Sequence, residues 1–126
     1  MSEPLVFVLP LPVNIGNSRT HWAAKFKAKK DYWTLCDLML MAKRLPARPA
    51  APYPRAQLTA AIHHTHDTDA DNREARLKWA LDWLKTRGYI VDDSDAHLER
   101  VELCRAIACR KNSDRKLVLT LTPMAA

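Results

Sequence analysis

Residues 58–88 read LTAAIHHTHDTDADNREARLKWALDWLKTRG, and this stretch decides the fold. Apolar and small side chains alternate over residues 58–62, which predicts a β-strand with one buried face. After a polar segment, Asn72 is a candidate helix cap, residues 73–86 show helical periodicity, and Gly88 is a stop signal. The apolar stripe of that helix consists of Leu77, Ala80, Leu81 and Leu84. The stretch therefore predicts a strand that leads through a polar turn into an amphipathic helix.

The flanking sequence adds one helix and three strands. An apolar run at residues 4–9 predicts a first strand, and residues 20–44 keep a helical spacing of large side chains without proline or glycine. Residues 45–56 contain four prolines and predict a stiff surface connection. Two last strands are predicted at residues 98–108 and 116–122, on either side of a turn. The order βαβαββ predicts an α+β fold, a mixed sheet with its helices packed mainly on one face.

Size and composition suit one globular domain that spans residues 1–126. The chain has 126 residues, 48% of them hydrophobic, with only 2 glycines and no internal repeat. Its apolar start, MSEPLVFVLPLPV, lacks a basic leader and is too short to cross a bilayer, so we expect a strand there, with no signal peptide and no membrane contact. Three cysteines, Cys36, Cys104 and Cys109, match neither a disulfide framework nor a paired zinc motif. We therefore expect a reducing, cytoplasmic location.

The charge balance favours a polyanionic partner. Lysine and arginine number 20 against 14 aspartates and glutamates, which gives a formal net charge of +6. The start of the first predicted helix concentrates this charge in Arg19, Lys25, Lys27, Lys29 and Lys30. Contact with DNA phosphates and plain solvation of an exposed helix face explain such a cluster equally well. These five residues are the candidate nucleic-acid-binding residues.

Aspartates lie at the two ends of the second predicted helix. Asp69 and Asp71 precede it, and Asp93 follows 24 residues after Asp69 (93 − 69 = 24). If the chain returns to the same sheet edge, these carboxylates converge, and Mg²⁺ is the ion that prefers a few carboxylate oxygens with open positions for phosphate and water. The alternative is that the acids cap the helix, because Asp and Asn accept its free N–H groups. Capping does not need two or three acids, and like charges repel unless a cation relieves them.

Short motifs along most of the chain resemble, in the same order, those of the RusA family of Holliday-junction resolvases. They are LPLP at residues 9–12, Asp69-Ala70-Asp71-Asn72, Leu77-Lys78, Leu81-Asp82, Gly88 and Asp92-Asp93-Ser94. The resemblance implies a homodimer that binds four-way DNA junctions and nicks two strands symmetrically with Mg²⁺. It implies that Asp69, Asp71 and Asp93 hold the metal. Asp92 competes with Asp93, since neighbouring residues point in different directions.

The resemblance also implies a catalytic lysine on the second helix, which here is Lys78. The spacing between Asn72 and Lys78 is longer than in some members of the family, so Arg76 is the competing cation. Asp82 lies four residues after Lys78, the distance at which residues on a helix form ion pairs. We therefore expect Asp82 to be the helical partner of Lys78.

The expected activity is that of a magnesium-dependent, structure-selective endodeoxyribonuclease of DNA recombination and repair. One alternative is a non-cleaving DNA-binding relative of the same fold. Another, a magnesium protein acting on small phosphates, is disfavoured by the net charge and by the lack of a glycine loop that cradles phosphates. A zinc site at His63, His64 and His66 is disfavoured because adjacent strand residues point to opposite faces.

Overall fold

The protein contains one mixed sheet and two α-helices in the part of the chain that the computed structural model describes. The described residues are 3–12, 22–66 and 70–125. The elements are β1 (Leu5–Leu9), α1 (Trp22–Met41), β2 (Ala56–His64), α2 (Ala70–Thr86), β3 (Leu98–Arg100), β4 (Arg105–Ala108) and β5 (Lys116–Pro123). A short 3₁₀ turn at Asn112–Asp114 precedes β5. The α+β class predicted from the sequence is confirmed.

The sheet joins the first described strand to the last. Its order is β1-β5-β2-β3, and β4 pairs with β2 further along the same strand. β5 lies antiparallel to β1 and to β2, whereas β3 and β4 lie parallel to β2. The sheet is therefore mixed, as predicted, with β2 and β5 at its centre.

The strand predicted at residues 98–108 is two strands, because the chain leaves the sheet between them. Pairing with β2 stops after Arg100 and resumes at Arg105. Glu74 of α2 holds the excursion in place. Its carboxylate accepts a hydrogen bond from the backbone N–H of Cys104 at 2.9 Å and pairs with Arg100 at 2.9 Å. These contacts replace ladder hydrogen bonds that the segment would otherwise make.

One face of the sheet packs against both helices. The buried residues on that face of the long strands are Phe7, Leu9, Ala56, Leu58, Ala60, Ile62, Leu117, Leu119 and Leu121. The helices contribute Tyr32, Cys36, Leu77, Ala80, Trp83 and Leu84 to the same core. The opposite face stays open, with Val6 and Val8 of β1 49% and 43% exposed. This arrangement confirms that the helices pack mainly on one face.

The described part of α1 begins at Trp22 and ends at Met41, three residues before the predicted end at Arg44. Lys43 adopts a φ of 59°, and this left-handed conformation stops the helix. The predicted start at Thr20 lies outside the described residues. Although α1 has 20 residues, neither described helix is both long and apolar enough to cross a membrane.

α2 begins at Ala70, earlier than the start predicted at Arg73. Asn72 therefore lies inside the first turn and is not the cap that its residue type suggested. The predicted end at Thr86 is confirmed. Gly88 follows with a φ of 88°, the left-handed conformation expected of a residue that ends a helix.

Asp37 of α1 joins the two helices. Its carboxylate accepts hydrogen bonds from Trp83 Nε1 at 2.9 Å, from Arg87 Nε at 2.8 Å and from Arg87 Nη2 at 2.7 Å. The hydrogen bonds from Arg87 lower the pKa of Asp37, against an opposing effect of burial. Trp33 of α1 adds a bond from its Nε1 to the Trp79 carbonyl at 2.9 Å. The side chains of Trp33 and Trp83 thus help to hold the two helices together.

Candidate active site

Asp71 lies in the first turn of α2, just beyond the carboxyl end of β2. It is exposed, so its carboxylate is open to a ligand. Because α2 begins at Ala70, Asp71 is inside the helix and does not occupy the capping position. Its charge still interacts favourably with the positive end of the helix dipole. The other acids of this segment, Asp67 and Asp69, lie outside the described residues.

Asp93 lies near the opposite end of α2. Its neighbour Asp92 pairs with Lys85 in the last turn of the helix, at 3.0 Å. Asp71 and Lys85 are 14 residues apart (85 − 71 = 14). At a rise of 1.5 Å per residue, this corresponds to about 21 Å along the helix axis.

The sheet separates the two aspartates in the same way. Ala56, at the start of β2, pairs with Leu98, at the start of β3, so the segment before β3 lies at the amino end of β2. Asp93 belongs to that segment, whereas Asp71 follows the carboxyl end. A helix between parallel neighbouring strands carries the chain back to the start of the sheet. One chain therefore does not bring Asp71 and Asp93 to a common sheet edge, contrary to the expectation from their spacing.

The described residues include only two of the three predicted magnesium ligands, Asp71 and Asp93. Within residues 3–12, 22–66 and 70–125, no group of three or more His, Cys, Asp or Glu side chains could hold a metal ion. Asp69 lies outside these ranges. A site made of Asp69, Asp71 and Asp93 from a single chain does not fit the separation of the last two residues.

Asp92 and Asp93 differ in their contacts, because Lys85 forms a salt bridge with Asp92. The Asp92 carboxylate pairs with Lys85 and also accepts the backbone N–H of Asp93 at 2.9 Å. These hydrogen bonds, with that from Lys85 the largest, lower the pKa of Asp92 to about 2. Asp93 is exposed and forms no salt bridge with any residue that the structure describes. Of the two carboxylates, that of Asp93 is the more available to a ligand.

Lys78 shares a helix face with Asp71 and is exposed. Seven residues turn a helix by about 700°, so the two side chains project from nearly the same side, about 10 Å apart along the axis. Asp82, the expected partner of Lys78, pairs instead with Lys29 of α1 at 3.1 Å. Across the described ranges Lys78 has no salt bridge, which leaves its ammonium group available for an anion.

The lysines of α1 are only partly available for DNA. The four candidates that the structure describes are Lys25, Lys27, Lys29 and Lys30, and the fifth, Arg19, lies outside the described residues. Lys27 pairs with Asp31 at 3.0 Å, and Lys29 pairs with Asp82 at 3.1 Å. Lys25 and Lys30 form no salt bridge in the part of the chain with described coordinates.

Four titratable side chains gather near the carboxyl end of β2, and the sequence analysis did not group them. We call His64, His66, Arg76 and Arg115 the cationic cluster. Arg115 Nη2 lies 3.4 Å from His64 Nε2, and the rings of His64 and His66 are 5.6 Å apart. Arg76 of α2 is 7% exposed and donates from Nε to the Pro12 carbonyl at 2.9 Å. Arg76 therefore faces the interior, whereas Lys78 faces solvent.

The two arginines of the cationic cluster lie close enough to influence the ionisation of their neighbours. Burial, and then the charge of Arg115, lower the pKa of Arg76. Burial, followed by Arg115 and Arg76, also lowers the pKa of His64, so this imidazole is uncharged at neutral pH. Neither arginine has a salt bridge to a carboxylate of the described residues. Groups whose pKa is shifted by burial and by a nearby charge are candidates for a functional site.

Comparison with protein-family models and with curated proteins identified no relative of this chain. No protein-family model matches the chain, and no curated protein matches it. The resemblance to RusA-type resolvases therefore rests on the sequence motifs quoted above.

Proposed function

We propose that this protein is a magnesium-dependent endonuclease that resolves four-way DNA junctions by paired phosphodiester hydrolysis. The observation that carries the proposal is that Asp71 and the cationic cluster lie at the same end of the sheet. A carboxylate that suits a metal ion thus stands near groups that suit phosphate. The net charge of +6 and the order of the RusA-like motifs support the same activity.

The metal site of this proposal needs two copies of the chain. Because Asp71 and Asp93 lie at opposite ends of α2, a three-aspartate site would comprise Asp69 and Asp71 of one protomer and Asp93 of the partner subunit. Two-fold dimers are the commonest closed assemblies, and a two-fold axis generates two equivalent sites of this kind. When bound, Mg²⁺ would supply positive charge at the scissile phosphate and acidify a bound water.

Residues of the chain itself would bind the DNA and offset charge. Lys78 projects from the same side of α2 as Asp71, where its ammonium group can stabilise negative charge that develops on a phosphate. Lys25 and Lys30 of α1, which lack salt bridges within the described residues, can contact the backbone of a DNA arm. No covalent enzyme intermediate is required.

The activity is tested with a labelled four-way junction and a linear duplex of the same sequence. With Mg²⁺, we expect paired nicks in the junction and an intact duplex. A chelator should abolish the nicks and leave junction binding in place. Equal cleavage of both substrates would contradict structure selectivity.

Mixed dimers test whether the metal site is shared between subunits. If it is shared, a dimer of one Asp71→Asn chain and one Asp93→Asn chain retains one intact site. After subunit exchange, half of the dimers are mixed, so nicking should recover to about a quarter of the wild-type rate. If each chain holds its own site, the mixture stays inactive.

A matched control uses two substitutions on the same side of the shared site. Asp69→Asn and Asp71→Asn chains, mixed in the same way, leave every site with one missing carboxylate. This mixture should stay inactive whichever arrangement is correct. Recovery in the control would show that the rescue comes from another source, such as residual activity of the variants.

The alternative is a DNA-binding relative that does not cleave. The separation of Asp71 and Asp93 favours this alternative if the protein does not dimerise, because neither acid then has the other nearby. It predicts junction binding that Mg²⁺ does not convert into nicking. The junction assay therefore separates the two candidates, provided that binding is measured in the same tubes.

We extend the proposal to a reducing compartment such as the cytoplasm. Cys36, Cys104 and Cys109 are all free thiols. Junctions that arise in recombination and repair of DNA are the substrates to which such a nuclease would have access.

A further inference from the structure

His64 and Arg115 each direct a hydrogen-bond donor toward the other. The backbone N–H of His66 donates to His64 Nδ1 at 2.9 Å. A neutral imidazole whose Nδ1 accepts a hydrogen bond carries its proton on Nε2. Arg115 Nη2, which is only a donor, lies 3.4 Å from that Nε2. The two groups cannot bond to each other, so neither is the acceptor that the other needs.

A second atom of Arg115 and the guanidinium group of Arg76 strengthen the demand for an acceptor. Arg115 Nε is buried and has no hydrogen-bond partner among the described residues. Arg76, more than nine-tenths buried, adds a second positive charge, and its Nε bonds only a neutral carbonyl. Leaving a buried donor without a partner is destabilising. The arrangement is therefore unfavourable in the free protein and would be relieved by a bound anion.

Space for such an anion lies beside the two imidazoles. A pocket of about 230 Å³ is lined by Ile62, His64, Thr65, His66 and residues 106–108 of β4, and Arg115 lies outside this lining. It is several times larger than the roughly 30 Å³ that a water molecule occupies. An oxygen about 2.9 Å from both His64 Nε2 and Arg115 Nη2 would accept from each of them.

We propose that His64 and Arg115, backed by the charge of Arg76, form an oxyanion site that binds a phosphate group at the carboxyl end of β2. The site follows from the converging donors and does not depend on nuclease activity. The identification of the phosphate as one of the DNA backbone rests on the proposed function. Inorganic phosphate and DNA are therefore tested in separate arms.

The first arm uses the wild-type protein and inorganic phosphate. In ¹H–¹⁵N spectra, we expect His64 to carry its proton on Nε2 in the free protein. Phosphate should shift the Arg115 Nε–H and His64 Nε2–H resonances saturably, while chloride at the same ionic strength should not. A proton on Nδ1 of His64, or an Arg115 resonance that phosphate leaves in place, would overturn the site.

The second arm compares Arg115→Gln with Arg55→Gln in DNA binding. Arg55 is exposed at the opposite end of β2, so its substitution removes the same charge far from the proposed site. We expect Arg115→Gln to weaken junction binding by about tenfold or more, and Arg55→Gln to weaken it much less. The slope of log affinity against log salt should fall by about 0.9 for Arg115→Gln, the value for one lost phosphate contact.

The two arms give distinguishable outcomes. One outcome is that inorganic phosphate shifts the resonances of the wild type while the two variants bind DNA equally well. This outcome would support the oxyanion site and refute the DNA backbone as its ligand. If both arms give the expected results but junctions are not nicked, the proposed nuclease activity is refuted and the phosphate site is supported. If Arg115→Gln fails to fold, the phosphate titration of the wild type still decides the proposal.

Discussion

The charge of Asp71 distinguishes a metal ligand from a helix residue. We expect Asp71→Asn, and likewise Asp69→Asn, to abolish nicking while junction binding stays equal or becomes tighter. Asn keeps the size and one oxygen but loses the charge that attracts the ion and repels phosphate. The loss of nicking should exceed the roughly 10–100-fold effect typical of removing an outer partner of a metal ligand.

Gel shift and single-turnover nicking, both with Mg²⁺, measure the two effects separately. If Asp71 only interacts with the helix dipole, Asn costs less than about 1 kcal/mol of stability and nicking persists. Nicking close to the wild-type rate in both variants would contradict the metal assignment.

Residue identity in the site could be predicted only where the signal is local. The aspartates around residue 70 stand out because acids recur within a few positions of a basic chain. The pairing of Arg115 with His64 could not be predicted, since the two are 51 residues apart and meet through the register of β2 with β5. The separation of Asp71 and Asp93 likewise follows from the direction of α2 and not from their spacing.

Among the elements, the end of α2 depends on Gly88. Its φ of 88° is costly for a residue with a Cβ, and nothing lies within 4 Å of where that Cβ would be. We therefore expect Gly88→Ala to lower the free energy of unfolding by about 1–2 kcal/mol, through conformation alone. Gly88→Asn should cost less, because Asn tolerates this conformation. Chemical denaturation measures both, and an Ala variant as stable as the wild type would contradict the prediction.

Asp37 should make the contact between the helices sensitive to acid. In the folded protein the pKa of Asp37 lies below the ordinary value of 3.8. The ionised carboxylate therefore stabilises the fold above that value, and this contribution disappears as the pH falls through the lowered pKa. We expect Asp37→Asn to lose less stability than the wild type between about pH 5 and pH 2.

The comparison of Asn with Ala at position 37 separates charge from hydrogen bonding. Asn keeps an oxygen for the indole N–H of Trp83, which is fully buried, whereas Ala removes it. With the side chain of Asp37 35% exposed, the Asn substitution should cost about 1–2 kcal/mol at neutral pH. The Ala substitution should lower the free energy of unfolding by about 1–3 kcal/mol more than the Asn substitution. Thermal unfolding measures both, and equal stability of the two variants would refute the role of the Asp37 oxygen as acceptor for Trp83.

A strand, helix or connection could be predicted from the sequence where a single local pattern identifies it. The alternation along residues 58–62 and the proline-rich stretch before them could be recognised without tertiary information. The break between β3 and β4 was not predictable, because Glu74, distant in sequence, binds the chain there. The early start of α2 was missed because Asn72 has the residue type of a cap but lies within the helix.

At the scale of the whole molecule, we expect a dimer. The chain has a mass of 14.4 kDa, so sedimentation should give twice that, 28.8 kDa (2 × 14.4), at the concentration of the nicking assay. The reason is that a metal site with both Asp71 and Asp93 requires a second copy. A monomer that still makes paired nicks would contradict the shared site, and an inactive monomer would favour the non-cleaving alternative.

The order of strands also dictates when the chain can complete its fold during synthesis. β1 leaves the ribosome before the other described strands, yet its partner among them is β5, with Leu5 facing Leu121 across 116 residues (121 − 5 = 116). Contacts this distant in sequence form slowly, and unpaired strand edges expose a nascent chain to aggregation. Until residues 116–123 emerge, Phe7 and Leu9 lack the strand that lies beside them in the described sheet, so this sheet cannot be completed before β5 has been synthesised.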